Sequence, residues 1–134
     1  MCGRFTITAS TSELAELLGV SGLPDVRPRY NAAPTQMILA ARLKTDGQRE
    51  AALFKWGLVP SWATDPTIGY KMINARGETV ATKPSFRQAF KKQRCLIVAD
   101  GFYEWKKDGK VKRPFRFRRP DGKPFAFAGI ERDA

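Results

Sequence analysis

Histidine is absent from the 134 residues. No Ser-His-Asp triad and no Cys-His pair can be assembled from this chain, so any general acid or base must be a carboxylate, an amine or a tyrosine. Cysteine occurs only twice, at Cys2 and Cys95. Two cysteines do not make a disulfide framework, and neither lies in a metal-ligand cluster, so neither a metal nor a cofactor is expected. No apolar run is long enough for a transmembrane span or a secretory core, which leaves a membrane out of the expected partners and points to a cytoplasmic protein. Acidic residues are scarce: 13 Asp and Glu stand against 24 Lys and Arg, for a formal net charge of +11. That excess favours a polyanionic partner, nucleic acid before membrane, with a merely solvated basic surface as the plainer alternative. There is no internal repeat and no low-complexity tract.

What is present suits one folded domain over residues 1–134. Apolar residues make up 43% of the chain, with nine Phe and three Trp to build a core. Gly3 to Thr8 reads as a short strand. Ser10 and Glu13 have capping-box spacing, and Leu14, Leu17 and Leu18 then form the apolar face of a short helix ended by Gly19. Residues 21–35, with Pro24, Pro28 and Pro34, read as irregular chain. Met37 to Leu43 and Glu50 to Leu58 are strands around an Asp46-Gly47 turn, with a connection that can exceed two residues. Pro84 to Phe90 reads as a short helix in wholly basic surroundings. Cys95 to Ala99 is the most buried-looking strand, with Cys95 as an inert core residue. Asp108-Gly109 and Asp121-Gly122 turn two further strands, Val111 to Arg118 and Phe125 to Ile130. From Lys106 to Ala134 there are ten basic and four acidic residues, which makes this region a candidate phosphate-facing wall. The expected fold class is α+β, with curled mixed or antiparallel sheets forming a partly closed barrel and a few short helices.

The residues with chemistry fall in four stretches. If Met1 is removed, Cys2 offers a thiol and an α-amine on one residue, and the amine is partly uncharged near neutral pH. Such an aminothiol condenses with an aldehyde to a Schiff base and then closes a thiazolidine ring. Trp56 suits the core. Trp62, six residues on past Gly57 and Pro60, suits either the core or a stacking surface for a base, where it would contribute roughly 1–3 kcal/mol. Tyr70 to Glu78 has no clean period and mixes apolar anchors with Asn74, Arg76 and Glu78, which serve either a site or a surface turn. Glu104 lies between aromatics on a strand. It is either solvent-facing or held in an aromatic-walled site, and the second setting suits it to proton transfer.

Met1-Cys2-Gly3-Arg4-Phe5, Trp56-Gly57-Leu58-Val59-Pro60-Ser61-Trp62, Asn74-Ala75-Arg76-Gly77-Glu78 and Gly101-Phe102-Tyr103-Glu104-Trp105 occur in this order. Together they resemble the SRAP family, the SOS-response-associated peptidases, over the whole chain. The resemblance implies a compact α+β domain with strands curled around the N-terminus and a basic groove across it. It implies self-cleavage of Met1, recognition of abasic sites in single-stranded DNA, and a covalent crosslink through Cys2, hence peptidase and lyase-type chemistry. By position Cys2 would be the covalent residue, Asn74 would orient the N-terminus or the sugar, and Glu104 would shuttle protons. Arg4 and Arg76 would hold phosphates, and Trp62 would prop apart the bases beside the lesion. In a bacterium the protein would be nucleoid-associated.

The family pattern continues past Ile130 with a Trp-Glu pair and, later, a His-x-Arg-Met-Pro type segment, and this sequence has neither. The expectation is therefore a C-terminally truncated family member, a monomer if complete and association-prone if cut short. Two other functions share parts of the pattern. A non-covalent nucleic-acid-binding module needs the basic surface but neither a free Cys2 amine nor Glu104. An N-terminal-nucleophile amidohydrolase of the glutamine amidotransferase kind also begins Met-Cys-Gly, but leaves the other three motifs without a reason.

Overall fold

The computed structural model describes residues 2–132. In chain order the elements are β1 (Phe5–Ile7), α1 (Thr11–Leu18), β2 (Arg29–Ala32), β3 (Met37–Leu43), β4 (Arg49–Lys55), a 3-10 turn (Pro66–Lys71), α2 (Arg87–Lys92), β5 (Arg94–Ala99), β6 (Gly101–Asp108), β7 (Val111–Phe117) and β8 (Phe125–Ile130). The strands form two four-stranded sheets, ordered β2-β1-β6-β7 and β4-β3-β5-β8. Every ladder between the described strands is antiparallel.

Two expectations need correction. The sheets are not closed into a barrel: β5 runs into β6 through Asp100 alone, yet β5 pairs in one sheet and β6 in the other. The chain changes sheets at this corner instead of curling one sheet round. The second correction concerns residues 21–35, which are not irregular throughout. Arg29–Ala32 forms β2, an edge strand on β1 with Phe5 opposite Ala32. Its polar, proline-flanked sequence hides the strand, because only Ala32 in it is buried.

The local elements follow from their sequence. Ser10 caps α1 by accepting from the Glu13 backbone N–H at 3.3 Å, and the helix ends at Gly19. Leu14 and Leu18 point inward, whereas Leu17 stays partly exposed. They join Phe5, Ile7, Ile38, Leu39, Ala41, Val98 and Ala99 in one buried cluster. Aromatic edges tie the sheets together: Phe5 meets Phe127 at 6.0 Å, and Phe102 meets Phe125 and Phe127 at 6.4 and 6.1 Å. Such T-shaped contacts are favourable beyond the area they bury.

Asp100 holds the corner. Its side chain is almost fully buried. It accepts from the Thr6 hydroxyl at 2.6 Å, the Thr8 hydroxyl at 2.8 Å, the Ala9 N–H at 2.7 Å and the Thr8 N–H. Arg116 lies 3.5 Å away. Gly101 makes room for that guanidinium, since a Cβ there would sit 2.6 Å from Arg116 Nε and 2.9 Å from Thr6 Oγ1. Burial pushes the Asp100 carboxyl up, but the hydrogen bonds from Thr6, Thr8 and Ala9 outweigh it, and the net direction is below the ordinary carboxylate value. A carboxyl with a depressed folded pKa stabilises fully above its unfolded value, near 4, and loses that contribution as pH falls through the lower folded value. Asp100→Asn is therefore expected to cost about 3 kcal/mol at pH 7, or roughly 10 °C in melting midpoint. The difference from wild type should shrink below about pH 4. Thermal melts of both proteins from pH 3 to pH 7 check this, and equal midpoints at pH 7 would remove Asp100 from its structural role.

Candidate functional site

Cys2-Gly3-Arg4 leads directly into β1, the strand that packs most deeply in its sheet. β1 pairs with β6 at Phe5–Phe102, and the Tyr103 N–H donates to the Arg4 carbonyl at 2.9 Å. The N-terminal run is thus laid along β6 toward Glu104. Cys2 is half-buried, and its Sγ lies 3.5 Å from the Arg4 carbonyl oxygen. Burial pushes the Cys2 thiol above its ordinary value, a backbone hydrogen bond with Arg4 opposes this, and the negative charge of Glu104 adds to the rise.

Asn74 reaches the same point from the other side. Its Nδ2 donates to the Cys2 carbonyl at 2.7 Å. The Trp56-Gly57-Leu58 run places it there. Trp56 packs against Phe5 with ring centroids 5.1 Å apart and planes tilted by 50°, and its indole N–H donates to the Ile73 carbonyl at 2.8 Å. The Leu58 N–H donates to the Met72 carbonyl at 3.0 Å. Gly57 allows this approach: its φ is +126°, and a Cβ would lie 2.6 Å from the Gly69 carbonyl oxygen. Trp56 is thus core support, as its sequence suggests, and also the strut that sets Asn74.

Cys2 and Asn74 both line a cavity of about 1400 Å³, whose walls include Phe5, Trp56, Ile97 and Phe127. Glu104 is half-buried on β6, with Phe115 opposite it on β7. Phe102 and Phe117, in register two residues away on the same face, stack at 5.3 Å. The carboxylate therefore stands in an aromatic setting.

The three remaining residues singled out in the sequence flank this centre. Arg4 is half-buried and donates from Nη1 to Asn31 Oδ1 at 3.2 Å. Arg76 is exposed two residues beyond Asn74, and its carbonyl accepts from the Val80 N–H at 2.9 Å in a turn. Trp62 is 57% exposed, which excludes the core reading. Its indole N–H donates to the Pro84 carbonyl at 3.4 Å, just ahead of α2. The structure brings Asn74 to Cys2 and sets Glu104 on β6, the strand along which the Cys2-Gly3-Arg4 run is laid. Arg4 and Arg76 stand two residues from Cys2 and Asn74 in the chain, and Trp62 is held to the start of α2.

Sequence reasoning missed Asp100 and Arg116, which fix the base of β1. The Asp100-Gly101 pair has the composition of a turn, and nothing local marks it as a buried clamp. Cys95 behaves as expected: it is buried, and burial followed by the charge of Glu131 pushes its thiol up to about 12. Among the described residues no group of three or more His, Cys, Asp or Glu is placed to hold a metal. No helix among them is long and apolar enough to cross a membrane. β7, at the edge of its sheet, is exposed along its whole length. Part of the charge of this basic region is paired internally, Arg113 with Asp108 at 3.6 Å and Arg119 with Asp121 at 2.8 Å.

The chain belongs to the SOS response associated peptidase (SRAP) family, whose model matches residues 1–134. It is 45% identical over 134 residues to the abasic site processing protein YoqW of Bacillus subtilis (strain 168), and 35% identical over 136 residues to the abasic site processing protein YedK of Escherichia coli (strain K12). Each match covers 97% of this chain and 59% of the relative, so the chain spans about three fifths of their length. The crystal structure of a phage-related protein from Bordetella bronchiseptica superposes with a TM-score of 0.78 at 29% identity, covering 96% of this chain and 60% of that one.

Proposed function

We propose that this protein recognises abasic sites in single-stranded DNA and captures them covalently through Cys2. The observation that carries the reading is the clasp on Cys2: Asn74 Nδ2 at 2.7 Å from its carbonyl oxygen, with the charge of Glu104 acting on its thiol. The names of the relatives, abasic site processing proteins, point the same way.

Removal of Met1, which lies outside the described residues, frees the Cys2 amine by hydrolysis of one peptide bond. The amine adds to the aldehyde of the ring-opened abasic sugar, and water leaves as the imine forms. The thiol then adds across the C=N bond: a C–S bond forms at carbon, the nitrogen gains a proton, and a thiazolidine results. Glu104 supplies and recovers protons in these steps. Asn74 fixes the backbone of Cys2 so that amine and thiol face one carbon.

The test is denaturing electrophoresis after incubation with a single-stranded oligonucleotide carrying one abasic site. A band of protein plus DNA that survives heat and detergent is the expected result. Binding in native gels with no such band would leave only a non-covalent module, and the covalent reading would be lost.

Around the reacting centre, Arg4 and Arg76 hold phosphates and Trp62 stacks against a base beside the lesion. Each arginine replaced by alanine should lower the salt slope of binding by about 0.7, the value for one phosphate contact on a single strand. Trp62→Ala should weaken binding roughly 5- to 160-fold with little change in slope, because stacking releases no counterions. Titrations at several salt concentrations check both. An unchanged slope for Arg4→Ala and Arg76→Ala would strike them from the phosphate contacts.

A further inference from the structure

Between Glu78 and Asp100 the sequence has no acidic residue, but it has Lys83, Arg87, Lys91, Lys92 and Arg94. All five are exposed. Among the described residues none of them is in an ion pair. Folding accounts for only part of this charge. Lys91 and Lys92 sit in the last turn of α2, where cations suit the helix dipole. Arg87 is in the first turn, where a cation opposes it, and Phe86 at the N-cap supplies no side-chain hydrogen bond. Arg87 and Lys91 are also four residues apart on one face, a like-charge pair that weakens a helix. A short helix with these choices is built to present positive charge at some cost in its own stability.

The helix adjoins the exposed tryptophan. The indole N–H of Trp62 donates to the Pro84 carbonyl, and Ser61 Oγ lies 3.4 Å from Gln88 Oε1, so the Trp62 loop rests on the start of α2. Arg87, Phe90, Lys91, Lys92 and Arg94 line an open cavity of about 810 Å³. One run of chain links this cavity to the clasp. After Asn74 and Arg76, the Thr79, Val80, Thr82 and Lys83 amides fold back on carbonyls three or four residues earlier, and the Arg87 amide donates to the Lys83 carbonyl at 2.8 Å.

We infer that the α2 cavity is a second phosphate seat, taking the backbone of the single-stranded DNA that leaves the lesion past Trp62. The inference rests on the abasic-site reading and extends its footprint to one side. Phosphates fill the cationic cavity, and the partly exposed Phe90 ring faces a base.

The test uses three oligonucleotides carrying a non-reactive abasic analogue. One has a single nucleotide on each side, one has six on each side, and one has six on each side made duplex. Wild type is expected to bind the long single strand more tightly than the short one. Arg87→Ala/Lys91→Ala should lose roughly 10-fold on the long strand at low salt, with a salt slope smaller by about 1.4, the value for two phosphates. Its affinity for the short one should stay at the wild-type value. Arg87→Lys/Lys91→Arg should restore the slope, and a melting midpoint no lower than that of wild type in both variants shows that the fold is intact. Equal losses on short and long strands, or an unchanged slope on the long one, would overturn the seat while leaving the lesion reading in place. A slope change seen only with the duplex flank would overturn the single-strand assignment. Failure of wild type to bind any of the three would bring down the abasic-site reading and this inference together.

Discussion

Cys2→Ala is expected to eliminate the heat- and detergent-stable adduct with abasic DNA, with a loss of at least about 10³-fold in yield. The size follows from ring closure. Once the imine has formed, the thiol is held next to the carbon it attacks, and such intramolecular reactions reach effective molarities of about 10⁵ M or more. No other cysteine replaces it, because Cys95 is buried and its thiol pKa stands at about 12. Lysines supply amines for imines but no neighbouring sulfur to close the ring. The protein itself should fold normally, since Cys2 is half-buried at the end of the chain and carries little of the core. Cys2→Ser separates the two steps. It keeps the amine, so borohydride should still trap an imine, while the adduct without borohydride falls away under denaturing conditions. A full yield of stable adduct from Cys2→Ala would sink the thiazolidine mechanism.

Much of the fold was legible wherever short-range rules decide. Ser10 with Glu13 and Gly19 mark both ends of α1, and Asp46-Gly47 and Asp108-Gly109 mark hairpins that form where expected. Cys95 to Ala99 reads as buried because it is apolar throughout, and as β5 it forms the middle of its sheet with β3 and β8 on either side. What stayed hidden depends on partners far along the chain. β2 is polar and becomes a strand only by lying on β1. The partly closed barrel gave way to two sheets because a single residue, Asp100, turns the chain between them and is held there by Thr6, Thr8 and Ala9 some ninety residues away. The site shows the same division. The motifs gave Cys2, Asn74 and Glu104 as a list, but only the Trp56–Ile73 and Leu58–Met72 hydrogen bonds explain how Asn74 arrives at Cys2. A tryptophan near a Gly and a Pro carries no burial signal of its own, so the sequence does not decide between core and surface for Trp62. The folded chain leaves it exposed, beside a basic helix.

Glu104→Gln is expected to slow both removal of Met1 and crosslinking by roughly 10²–10⁴-fold, the usual scale for loss of a positioned acid–base group. The substitution preserves shape, so the melting midpoint should change little. An amide cannot take up and return a proton in the relevant pH range, and with no histidine in the chain no imidazole can stand in for it. The variant also carries an independent signature. Part of the rise in the Cys2 thiol pKa comes from the negative charge of Glu104, and a neutral glutamine removes that part. The thiol pKa should therefore move down toward its ordinary value, and alkylation of Cys2 at a fixed pH near 8 should become faster while crosslinking becomes slower. A purely structural role for Glu104 would not produce these opposite shifts. Single-turnover crosslinking rates and the pH profile of Cys2 alkylation, measured on wild type and variant, check both. Equal crosslinking rates would deny Glu104 its proton-transfer role, and an alkylation profile that does not move would mean that the carboxylate and the thiol do not share one site.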